Sequence, residues 1–219
     1  YIFTNNNDIQ LFKNEYDKTK IYILKKPLQR KKGILISNNY NEIINAPKDN
    51  YKLVQRFIDS YKINDRKMNL RIYVLIICRE DIVEFYVHEL GKCLYAPKKT
   101  FNNNTNFEEQ ITDSYKTDLS VYNTNPKTQR DFYNYLNNIN YGSGDNLYTK
   151  ISTLFRKVAK AIGTDLCNLK NIKKNTKFQL FGADILVDNS LHPYLLEMNK
   201  GPDMTAKDED DRLLKTKVQ

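Results

Sequence analysis

The chain has 219 residues, 40% of them hydrophobic, and 35 Lys and Arg against 26 Asp and Glu give a net charge of +9. That length can bury a substantial core as one domain or as two lobes sharing a cleft, and no apolar run approaches the roughly 20 residues of a membrane span. With two histidines and three widely spaced cysteines that form no CxxC pair, a zinc site and a Ser-His-Asp triad are disfavoured, while the positive charge favours an anionic partner.

The opening residues Tyr1 to Asn6 lack the basic start and the cleavage site of a signal peptide, and they lack an initiator Met, so a fragment of a longer chain is expected. Residues 20–26 read as a strand ending in two cations. A basic turn from Pro27 to Lys32 leads through Gly33 into a second strand, Ile34 to Ser37. A short helix is predicted over 39–45 and another strand over Tyr51 to Ile58. The polar stretch Asp59 to Lys67 reads as the passage between lobes. Leu70 to Cys78 is the longest apolar strand, followed by Ile82 to Val87 and a hairpin return near Cys93 to Tyr95. Residues 97–128, rich in Asn, Thr, Lys and Asp, look like an extended surface segment. Helical spacing returns at Leu147, Ile151, Leu154, Phe155, Val158 and Ile162. A strand pair at 177–187 and 193–199 follows, and Thr205 to Val218 could close the chain as a charged helix. The order is mixed α+β with antiparallel hairpins. Cys78, Cys93 and Cys167 read as buried thiols in a reducing compartment, and the chain as cytoplasmic.

Chemistry concentrates in the last strand pair. Alternation places Glu197 and Asn199 on one face, and Asp184 on the neighbouring strand can complete an all-oxygen cluster. A hard cation such as Mg²⁺ prefers such ligands, with nucleotide phosphates filling the remaining positions. Asp184 and Glu197 sit among apolar neighbours, where an uncompensated carboxylate is costly, and a metal or a dedicated cation resolves that cost. Lys25 and Lys26, at a strand end before a turn, are the expected cationic counterpart for phosphates, and Gly33 lets the backbone pass close to them. Arg71, set in an apolar strand, tends to face a carboxylate or phosphate it can fork onto. The basic–aromatic mix of Lys98, Lys99, Phe101, Tyr115 and Lys116 carries no recognisable nucleic-acid motif, so neither nucleic acid nor a membrane is an expected partner.

These residues match a family. The chain resembles, nearly end to end, the tubulin–tyrosine ligase and tubulin polyglutamylase group of the ATP-grasp superfamily. Ile21 to Pro27 looks like the family's W-I-x-K-P strand, and Lys32 to Ser37 like its G-x-G-I-x-I/L. Val54 to Ile58 is similar to V-I-Q-K-Y-L. Arg66 to Leu75 resembles R-K-F-D-I/L-R-x-x-V-L, and Gln110 to Asp113 falls where the family has H-L-T-N. Residues 178–202 resemble F-E-L-F-G-x-D-x-x-x-D followed by W-L-L-E-V-N-x-x-P, the most specific pair of the set.

The resemblance implies an ATP-grasp fold of two lobes of mainly antiparallel sheet with helices, binding a nucleotide in the cleft between them. A central lobe over 1–58 would carry the phosphate loop and adenine hinge, and a C-terminal lobe over 59–219 the metal site, with the family's N-terminal lobe absent. It implies an ATP- and Mg²⁺-dependent ligase that joins an amino acid of the glutamate, tyrosine or glycine class to a carboxylate of an acidic protein, tubulin being one candidate, through an acyl phosphate. Lys25 or Lys26 would hold phosphates beside Gly33. Gln55, Arg56, Phe57 and Ile58 would hold adenine, with Thr112 and Asp113 also in the cofactor site. Lys67 and Arg71 would be the catalytic cations, and Asp184, Glu197 and Asn199 the metal ligands. The sequence departs from the family at Gln29 to Lys32, which replace glycines in a shorter loop. Asn69 replaces an acid, Asp113 an Asn and Asp118 a Lys. Tyr95 replaces an Arg, for which Lys92 is a stand-in. The first alternative is a catalytically degenerate ATP-binding module for an acidic protein, and the second a nucleic-acid-binding domain.

Overall fold

The computed structural model describes residues 1–28, 33–79, 82–100, 105–113, 116–167 and 177–218. The chain divides into two compact units, residues 1–59 with 100–111, and residues 60–99 with 112–219.

In the first unit, helix α1 (Asn6–Glu15) starts where the Asn5 side chain accepts a hydrogen bond from the Asn7 amide, satisfying a donor the helix cannot pair itself. Strands β1 (Tyr22–Lys25), β2 (Ile34–Ser37) and β3 (Leu53–Arg56) form an antiparallel sheet in the order β2-β1-β3. Helix α2 (Tyr40–Asn45), capped by Asn39, connects β2 towards β3. α1 escapes a sequence reading because its apolar positions are few. Phe12 fixes it, fully buried with its ring against those of Tyr1, Phe3, Tyr16 and Tyr22 at centroid distances of 5.3, 5.3, 5.8 and 5.3 Å.

The second unit is organised by one long strand, β5 (Arg66–Arg79), which the short β4 (Lys62–Ile63) precedes. Strands β6 (Ile82–Val87) and β7 (Lys92–Tyr95) pair with successive parts of β5. Along its other edge runs β8 (Lys177–Val187), which pairs in turn with β9 (Pro193–Lys200), all antiparallel. Even-numbered β5 residues from Met68 to Cys78 enter a core with Phe132 and Leu136 of α4 (Gln129–Ile139) and Leu147, Ile151 and Phe155 of α5 (Ser143–Leu166). The α5 stripe is thus where helical spacing put it. α4 was not foreseen; its start is a capping box of Thr128 and Asp131. The odd-numbered face of β5 carries Lys67, Asn69, Arg71 and Tyr73. The closing helix α6 (Glu209–Val218) reaches this face through an ion pair between Asp211 and Lys92, which lies opposite Arg71.

Three expectations are corrected. The polar stretch 59–67 is not a bare passage: Ser60 bridges Asp188, and β4 and the start of β5 lie within it. The segment 97–128 is not an extended surface, because it contains α3 (Phe107–Gln110) and a 3₁₀ turn (Leu119–Asn123) and buries Thr100, Thr112, Val121 and Asn125. Cys78 is bonded to Cys167, so only Cys93 is a free buried thiol, and the cysteine argument for a reducing compartment falls away. The end of β5 and the end of α5 bring the two Cα atoms to 5.5 Å across 89 residues of sequence, within bridging range. Among the described residues no helix is long and apolar enough to cross a membrane. The altered loop Gln29 to Lys32, and Phe101 and Tyr115, lie outside the described residues.

Candidate functional site

On the odd-numbered face of β5, register assembles a row of charge. Arg71 lies directly opposite Lys92 of β7 on one side and Asp184 of β8 on the other, and Asp184 lies opposite Glu197 of β9. Directly opposed residues share a face, so two cations stand beside two carboxylates. Arg71 forks onto Asp184, Nε to Oδ1 at 2.5 Å and Nη2 to Oδ2 at 3.0 Å. The dedicated cation that a half-buried carboxylate calls for is therefore Arg71, as the strand context suggested. Burial pushes the Asp184 carboxyl up, and the Glu197 charge adds to this beyond what Arg71 takes back. Burial works against the Arg71 charge, but Asp184 outweighs it and raises the guanidinium.

Glu197 owes its position to a bulge. The register shifts between Asp184 and Ile185, where Asp184 pairs Glu197 but Ile185 pairs Leu195, leaving Leu196 as the extra residue. Without that shift Glu197 would oppose Ala183 and point into the core, since one residue of slip flips a strand's faces. With it, Leu195 and Met198 both pack on the core while Glu197 and Asn199 share the charged face. Asn199 donates from Nδ2 to Glu197 Oε1 at 2.8 Å.

Gly182 makes room for the fork. A Cβ there would lie 3.1 Å from Arg71 Cδ and 2.9 Å from Pro202 Cβ. Lys67, 1% exposed, stands on the same face two residues along from Asn69. Asn69 donates from Nδ2 to Thr112 Oγ1 at 3.2 Å, and the Asp113 amide donates to Tyr95 O at 3.0 Å, so both predicted residues of the 112–113 segment join this end of the sheet. Tyr95 itself is in the core, opposite Met68, its hydroxyl donating to Pro126 O. Lys92, not Tyr95, stands on the Arg71 face. Asp118 caps the 3₁₀ turn by accepting from the Ser120 amide. Burial pushes the neighbouring Tyr73 hydroxyl up to about 12.

The buried group the sequence reading missed is Asp211. It accepts from Lys92 Nζ at 2.9 Å, and Lys215 Nζ lies 3.0 Å from its other oxygen, which also accepts from the Lys207 amide. Its only sequence signal is the four-residue spacing to Lys215 on one helix face.

The remaining predicted residues belong to the first unit. Lys25 lies on the β1 face of Ile23, opposite Ile34 and Leu53, while Tyr22 and Leu24 face the core. Gln55, opposite Ile23, shares that outward face, and Arg56 is exposed on the other. Phe57 and Ile58 follow half-buried, the Phe57 amide donating to Ile21 O. Lys26 turns aside: its Nζ sits 4.7 Å from the Tyr51 ring centroid, a cation–π contact. Its stem lies across Gly33, where φ is +74° and a Cβ would come within 2.7 Å of Lys26 Cβ. Gly33 thus serves the packing of Lys26.

The oxygen donors of Asp184, Glu197 and Asn199 on adjacent strands suit a hard divalent cation. Among the described residues no group of three or more His, Cys, Asp or Glu is placed to hold a metal, so a cation here would rest on two carboxylates, one amide oxygen and oxygens of water or phosphate.

The sequence profile described as the tubulin-tyrosine ligase family matches residues 2–219. The chain belongs to this family. It is 30% identical over 184 residues to "Probable tubulin polyglutamylase TTLL9" of Rattus norvegicus, covering 78% of this chain and 37% of that protein. It is 30% identical over 203 residues to "Probable tubulin polyglutamylase TTLL2" of Homo sapiens, covering 87% and 32%. With "Tubulin polyglutamylase ttll-5" of Caenorhabditis elegans the identity is 26% over 214 residues, covering 85% and 28%. The chain thus spans about a third of the length of these curated relatives. The mixed α+β architecture of antiparallel sheets accords with the family.

Proposed function

We propose that this chain is the ligase region of an ATP- and Mg²⁺-dependent carboxylate–amine ligase, adding glutamyl units to carboxylates of an acidic protein. Tubulin is the acceptor on the strength of the relatives' names. The observation that carries the reading is the row Lys92, Arg71, Asp184, Glu197, which sets two cations against two carboxylates on one sheet face. Phosphoryl transfer to a carboxylate, and attack of an amine on the acyl phosphate, need positioning and charge stabilisation more than covalent help from the protein.

Arg71 is the guanidinium for phosphate oxygens, because a planar fork matches them. Lys67, buried on the same face, adds fixed positive charge that needs no rearrangement as charge develops. Asp184, Glu197 and Asn199 hold Mg²⁺, which when bound neutralises phosphate charge. In the first unit Lys25 or Lys26 serves phosphates, the Lys26 ammonium also lying over the Tyr51 ring. Gln55 to Ile58 offer backbone and side chains to adenine. The related proteins carry the names of polyglutamylases, which favours a ligase over a degenerate binding module.

The test is mass spectrometry of tubulin after incubation with the protein, ATP, Mg²⁺ and glutamate. Wild type is expected to add glutamyl units only with ATP and Mg²⁺ present. Glu197→Gln, which removes one ligand charge, is expected to lose at least ~100-fold in rate, as for removal of one transition-state charge contact. Full ligation by the variant overturns the assignment of the metal seat.

A further inference from the structure

We propose that Arg71 and a divalent cation compete for the Asp184 carboxylate, so that a cation seated on the Asp184–Glu197 pair releases the guanidinium to take an anion. This rests on the proposed reading of that pair as the metal seat.

The fork engages both Asp184 oxygens, and a cation needs at least one of them. Glu197, opposite Asp184 and exposed, is hydrogen-bonded to Asn199. One guanidinium therefore answers two neighbouring carboxylates, and a doubly charged ion offsets the pair better. Lys92 cannot take over the role of Arg71 without leaving Asp211, whose side chain is fully buried. Arg71 is the member able to change partner: its side chain is 24% exposed and lies over Gly182, which itself offers no side chain. Asp184 is thus a positioning residue for Arg71 as well as a ligand. The linkage is reciprocal, so cation and anion raise each other's affinity by the same factor.

The competition predicts something a simple anion-holding role does not: weakening the fork tightens binding of the cation alone. Free Mn²⁺ is followed by electron paramagnetic resonance as the whole chain is titrated without nucleotide, for wild type, Arg71→Lys, Arg71→Gln and Glu197→Gln. Arg71→Lys keeps the charge but loses the fork, and about 5- to 10-fold tighter Mn²⁺ binding is expected. Arg71→Gln is expected to bind tighter still. Equal affinity of wild type and Arg71→Lys overturns the competition while leaving the metal seat intact. Undiminished Mn²⁺ binding by Glu197→Gln overturns the seat itself, and the competition with it. A wild-type measurement removes any dependence on variants that fold poorly: the ¹⁵N–¹H signal of Arg71 Nε is expected to shift with the Mg²⁺ binding curve, and a signal unmoved at saturation contradicts the exchange.

Discussion

Asp211 has no exposed side-chain surface and is answered by two ammonium groups, Lys92 at 2.9 Å and Lys215 at 3.0 Å. Removing the charge in Asp211→Asn leaves two nearly buried lysines without their counter-ion, expected to cost about 3–5 kcal/mol in urea unfolding. Burial opposes ionisation of this carboxyl, yet Lys92 and Lys215 outweigh it and hold it below the ordinary 3.8. A lowered carboxyl contributes stability that is complete above its unfolded value and lost as pH falls through the folded one. The difference between wild type and Asp211→Asn is therefore expected to shrink as unfolding is repeated below pH ~4. A difference constant with pH contradicts the ion-pair account. Beyond the four-residue spacing to Lys215, little of this was legible in the sequence, where Asp211 is one acid in the run Asp208-Glu209-Asp210-Asp211. Arg71 was legible, because a guanidinium in an apolar strand demands a forked partner, although not which one.

At the scale of elements, the strand pair β8 and β9 shows how far alternation carries. The period of two placed Glu197 and Asn199 on one face correctly. It could not show the bulge at Leu196, which brings Leu195 and Met198 together on the core and sets Glu197 opposite Asp184. Gly182, between them, is a glycine inside a strand, and such a position marks close approach. In Gly182→Ala the new Cβ meets the stiff Pro202 ring at 2.9 Å and the Arg71 stem at 3.1 Å. A loss of about 1–3 kcal/mol is expected from overpacking, together with a shifted Arg71 Nε signal in the ¹⁵N spectrum. Wild-type stability with an unmoved signal contradicts the claim that this glycine makes room for the fork. The helices divide in the same way: α5 announces itself by a long apolar stripe, while α1 and α4 depend on rings and caps that find their partners far along the chain.

For the whole molecule, the Cys78–Cys167 disulfide closes a loop across 89 residues of the second unit. The chain-entropy account assigns such a loop about 4–5 kcal/mol, acting mainly on the unfolded chain. Reduction, or the Cys78→Ala/Cys167→Ala pair, is expected to lower the urea midpoint clearly, whereas reduction of a chain already lacking the bridge leaves the midpoint where it is. An unchanged midpoint on reduction contradicts a stabilising cross-link. The sequence by itself determined the family and the antiparallel α+β order, because hydrophobic periods and short motifs are local properties of a chain. Only the tertiary structure decided which charge answers which. It paired Arg71 with Asp184, Lys92 with Asp211 and Cys78 with Cys167, and placed Tyr95 in the core. Strand register set Arg71 against Asp184, and the placement of α6 and of the end of α5 set the other two pairs across many tens of residues; none of this is written in the spacing of any one segment.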